Sequence, residues 1–69
     1  MTTTTYKVTF LNENGDFENF RTPNYLEADL KASECQNNNY SGYITKVTKI
    51  ENKEFPQCNK TTEEMIKHW

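Results

Sequence analysis

A chain of 69 residues has room for one domain, residues 1–69, and its formal net charge of -2 excludes the broad basic field that duplex-DNA binders carry. Apolar residues make up only 33% of it, but aromatics make up 13%, so four Phe, four Tyr and one Trp must do much of the burying; that aromatic content argues against disorder. No run approaches the roughly 20 apolar residues of a membrane span.

The opening Met1-Thr2-Thr3-Thr4-Thr5 has neither a basic start nor an apolar stretch. The expectation is a cytoplasmic protein, with Cys35 and Cys58 as reduced thiols. The sequons at Asn39 and Asn59 carry no meaning without export.

In chain order, residues 1–4 read as a disordered polar lead-in. Tyr6, Val8 and Phe10 then alternate with Lys7 and Thr9, the period-two pattern of a strand with one buried face. Asn14-Gly15 signals a tight hairpin of the type that needs positive φ at both central residues. A second strand follows at about Asp16–Arg21. A bulge near Glu18–Asn19 is expected, to bring Phe17 and Phe20 to the same side.

Asn24 is placed to cap a helix with Glu27 as its capping-box partner; Thr22 as cap with Pro23 in the first turn is the alternative. The helix should run to Cys35 or Gln36 and pack through Leu26, Leu30 and Ser33, flanked by Ala28 and Ala32. Asn37-Asn38-Asn39 stops it. A third strand is expected over Gly42–Glu51, with Lys46 and Lys49 on opposite faces unless a bulge intervenes. Asn52–Lys60 reads as a loop. Thr61 and Glu64 form a second capping box, predicting a short C-terminal helix with Met65, Ile66 and Trp69.

The expected fold is therefore α+β: a three-stranded antiparallel sheet of order 2-1-3, one helix packed on it and a short C-terminal helix. Core candidates are Tyr6, Val8, Phe10, Phe17, Phe20, Leu26, Leu30, Ile44, Val47, Ile50 and Phe55.

The chemistry that enzymes need is thin. His68 stands alone beside the C-terminus, and a general base requires a positioned neighbour. Cys35 and Cys58 lack partners at zinc spacing, and two glycines build no phosphate-cradling loop. No catalytic residue, metal site or cofactor is expected, and the chain reads as a binding protein rather than an enzyme. Candidate partner-binding residues are Tyr40, Tyr43, Lys46 and Lys49, where aromatics interleaved with cations suit bases and phosphates. Glu13 and Asp16 form an acidic knob at the hairpin. Trp69, paired with Met65 at helical spacing, is a candidate anchor on the open sheet face or on a partner. The partner classes are another protein or, alternatively, a nucleic acid or nucleotide; a membrane is excluded. Two open sheet edges also leave room for a homodimer.

Two resemblances bear on function. The stretch Tyr6–Glu13 looks like the opening strand of plant-type ferredoxins, but the four cluster-ligating cysteines are missing and the likeness implies no iron–sulfur role. Across most of the chain, the Asn/Lys/Thr/Tyr-rich segments Tyr6–Phe20 and Ser41–Glu51 around one short helix resemble small accessory proteins of large tailed phages. That resemblance implies a phage-encoded modulator or inhibitor that blocks or redirects a host protein by stoichiometric binding.

Overall fold

The computed structural model describes residues 1–69. The elements are β1 (Thr2–Leu11), β2 (Phe17–Thr22), α1 (Tyr25–Asn37), β3 (Gly42–Ile50) and β4 (Lys60–His68), with a single 3-10 turn at Pro56–Cys58. All strand pairs are antiparallel, in the order β2-β1-β3-β4. The small α+β domain and its single packed helix are as the sequence implies. The sheet, however, has four strands rather than three.

The fourth strand replaces the expected C-terminal helix. Thr61, Thr62 and Ile66 are β-branched and lose side-chain freedom in a helix. The open edge of β3 also offers a row of backbone donors and acceptors that a strand satisfies and a frayed two-turn helix does not. A bulge at Ile44/Thr45 breaks the β3–β4 register: Ile44 opposes Lys67, whereas Thr45 opposes Met65. Trp69 is tied to Gly42 by backbone bonds in both directions. The expected disorder at residues 1–4 likewise gives way to pairing, because β3 is long enough to hold Thr2 opposite Ile50.

The core lies on the helix side alone. Val8, Phe10, Ala28, Ala32, Cys35 and Ile44 are buried, with Tyr6, Phe20, Tyr40 and Trp69 packed around them. Alternation places Val8, Ile44 and Phe20 in one cross-strand row, so each β-branched or aromatic side chain meets the next. Opposite Phe10 the chain needs glycine: a Cβ on Gly42 would lie 2.9 Å from the Phe10 Cα. Several expected core residues are corrected. Phe17, Leu26, Leu30, Ile50 and Phe55 are exposed, and Val47 is half-buried. Leu26 and Leu30 lie outward because α1 packs through Ala28, Ala32 and Cys35, whose small side chains let the helix approach the aromatic-covered sheet closely.

The turns follow side-chain chemistry. In the β1–β2 hairpin only Gly15 has positive φ, so the expected turn with two left-handed residues does not form. The Asn12 side-chain oxygen accepts from the N–H groups of Asn14 and Asp16, which makes a longer Asn-stapled loop. The β1–β2 register is unbroken, so the expected bulge at Glu18–Asn19 is absent. Asn24 caps α1, its side chain accepting from Leu26 N–H at 2.9 Å. Glu27 does not close the box directly. The buried Thr22 hydroxyl donates to Glu27 at 2.6 Å and accepts from Asn24 N–H at 3.1 Å, relaying the box through one more residue. At the other end Asn39 takes φ 62, and Tyr40 N–H bonds Cys35 C=O while Asn39 N–H bonds Gln36 C=O. This is a Schellman stop with asparagine in the usual glycine position.

The molecule is long and thin, 46 × 23 × 14 Å, with a radius of gyration of 14.1 Å against about 11 Å for a compact chain of this length. The hairpin 12–16 and the loop 51–59 lie at opposite ends of the sheet.

Candidate functional site

Because side chains alternate across a strand, the registers map the sheet face opposite the helix. At the hairpin end Phe17 sits beside Leu11. Next comes a row of Asn19, Thr9, Tyr43 and His68, and then Arg21, Lys7, Thr45 and Met65. Thr5, Val47 and Glu63 follow, and Thr3, Lys49 and Thr61 close the far end. No element covers this face. Phe17 is 71% exposed and Met65 57%.

The face is polar and held in order. Thr9 and Thr45 are buried between longer neighbours. The Thr9 hydroxyl donates to the Asn19 side-chain oxygen at 2.8 Å. Lys7 reaches Glu63 at 3.6 Å, and Lys49 reaches Glu51 at 3.3 Å. Three cations (Lys7, Arg21 and Lys49) meet two carboxylates (Glu63 and Glu51) there, in a chain whose net charge is -2. Arg21 makes no ion pair.

The residues proposed from sequence do not form one surface. Tyr43 and Lys49 share the open face, two rows apart. Lys46 is on the helix side, opposite Tyr6 and Glu64. Tyr40 stacks on Phe10, with ring centroids 5.9 Å apart and planes 7° from parallel, so it belongs to the core. The Trp69 indole N–H donates to the Tyr40 carbonyl at 2.7 Å, and its ring packs against that same core. Trp69 therefore does not pair with Met65, nor does it lie on the open face. Glu13 and Asp16 are exposed at the hairpin. Sequence reasoning missed Lys7, Phe17, Arg21 and Met65 as surface candidates. Plain alternation through β2, without the postulated bulge, would have found Phe17 and Arg21.

The one concavity lies on the flank of α1 beside β2. It is an open groove of about 320 Å3, lined by Phe20, Glu27, Leu30, Lys31 and Glu34. The Lys31 ammonium lies 5.4 Å from the Phe10 ring centroid and 5.8 Å from that of Phe20, a cation–π seat that orders its floor.

Two titrations are shifted. Burial pushes the Cys35 thiol up, against the opposing pull of Lys31, which keeps it protonated and unreactive at neutral pH. The hydrogen bond to Asp29, at 2.9 Å, raises the Lys67 ammonium and ties α1 to β4. Cys58 is exposed and unlinked to Cys35. No three His, Cys, Asp or Glu side chains cluster, and no helix is long and apolar enough to cross a membrane.

No protein-family model, curated protein or solved structure matches the chain.

Proposed function

We propose that the chain is a non-enzymatic protein that acts by stoichiometric binding to a macromolecular partner through the open face of its sheet. One observation carries this reading. The whole apolar core is on the helix side, yet the other face keeps Phe17 solvent-exposed on β2, an unpaired Arg21 two rows further along the same strand, and Met65 solvent-exposed across the sheet on β4. Exposed aromatic, Met and Arg side chains on a rigid sheet are the usual anchors of protein interfaces. Ordered threonines between them supply hydrogen bonds with little entropy left to lose. The likeness to phage accessory proteins points to a host protein as the partner and to modulation or inhibition as the outcome. A nucleic-acid platform of Tyr40, Tyr43, Lys46 and Lys49 gains nothing from the geometry, since two of the four lie on the helix side.

Affinity purification from the cells that make the protein tests this. The expected result is one reproducible partner, retained by Leu30→Ser on the outer face of α1 and lost with Phe17→Ser/Arg21→Glu/Met65→Ser. A partner lost equally with both variants, or none at all, contradicts the reading.

A further inference from the structure

We infer that the outer edge of β4 pairs with the same edge of a second copy, joining two sheets into one of eight strands. Gly42 and Trp69 exchange backbone bonds, while Glu51 N–H bonds Met1 C=O and Leu11 N–H bonds Ser41 C=O. The even-numbered residues of β3 thus turn their N–H and C=O toward β4, and the odd-numbered ones toward β1. Lys46, Thr48 and Ile50 oppose Glu64, Thr62 and Lys60, which turn theirs back toward β3. The N–H and C=O groups of Thr61 and Glu63 consequently point away from the sheet. The stretch Lys60–Ile66 is exposed throughout, and no other element covers this edge.

Charge then selects the occupant and the register. A two-fold axis through Thr62, perpendicular to the sheet, sets Thr62 against its own copy and Thr61 against Glu63 of the other chain. The outward backbone groups of those two residues meet in four hydrogen bonds. The same axis sets Lys60 against Glu64 of the other chain, twice, on the helix side. Neither Lys60 nor Glu64 has an ion pair within its own chain. Moving the axis to Glu63 or Glu64 would instead place that carboxylate against its own copy, which is repulsive. The bulge opposite Ile44/Thr45 confines regular pairing to the segment that carries the complementary charges. The operation leaves both helices on one side and merges the two open faces on the other. It stands whether or not that face binds a partner.

Sedimentation velocity across a concentration series tests it, with circular dichroism confirming that each variant is folded. Wild type is expected to reach twice the 8.2 kDa chain mass. Lys60→Glu alone, or Glu64→Lys alone, should weaken association about tenfold or more, because each change turns both ion pairs into repulsions. The double exchange Lys60→Glu/Glu64→Lys should restore it. Thr61→Pro removes an outward N–H without touching the β3 ladder, and should give monomer even if a charge variant fails to fold. A monomeric wild type overturns the inference. So does a dimer indifferent to these changes, an unrestored double exchange, or an edge that takes only a foreign extended peptide.

Discussion

Gly42 shows how little slack the core has. Any side chain there meets the backbone of β1 at Thr9 and Phe10. Gly42→Ala should therefore cost about 1–3 kcal/mol in urea denaturation, as overpacking does elsewhere. At Ile44, fully buried on the neighbouring row, Ile44→Ala should cost about 2–5 kcal/mol. A domain of this size has only roughly 3–10 kcal/mol in hand, so that variant gives up a large share of its stability. Leu30→Ala, at a position 69% exposed, should change stability by no more than about 0.5 kcal/mol. These contrasts separate residues that look alike in the sequence. Nothing in the string distinguishes Leu30 from a core leucine, because Leu26 and Leu30 keep helical spacing as faithfully as Ala28, Ala32 and Cys35 do. Packing distance decides between the two stripes, and an aromatic sheet face leaves room only for the smaller one.

Among the elements, α1 and the first three strands were legible because their signals are local. Alternation at Tyr6–Phe10, the capping residues near Asn24 and the three asparagines ending the helix each act within a few positions. The C-terminal segment was not legible. Its capping-box pattern is equally local, but the β3 edge that overrides it is ten or more residues away in sequence. The candidate site was readable only in part for the same reason: which face Lys46 or Trp69 takes follows from registers that the sequence does not display. The tie between Lys67 and Asp29 is the one ion pair linking α1 to β4. Its lysine has a raised folded-state pKa, so the stabilisation is fully present below the ordinary lysine value of about 10.4 and disappears as pH rises through the raised value. Melting curves of wild type and Lys67→Gln should therefore converge at strongly alkaline pH and differ near neutrality, with the difference shrinking in high salt because the pair is solvent-exposed. Asn24→Ala removes the cap on Leu26 N–H, and about 0.5–2 kcal/mol of stability should go with it.

Across the whole molecule, the two faces of the sheet do different work. The helix-side face holds the fold, and the opposite face, ordered by Thr9, Thr45 and their neighbours, is the one the proposed function assigns to recognition. An elongated sheet with exposed edges is poorly protected against other chains. Edge pairing through β4 would close one of those edges and double the recognition surface in the same step. The division of labour is tested most directly by urea denaturation of Phe17→Ser/Met65→Ser beside Val8→Ala. The double open-face variant should unfold within about 1 kcal/mol of wild type, while Val8→Ala should lose about 2 kcal/mol or more. If the open-face variant instead lost as much as Val8→Ala, that face would belong to the core and would not be free to bind.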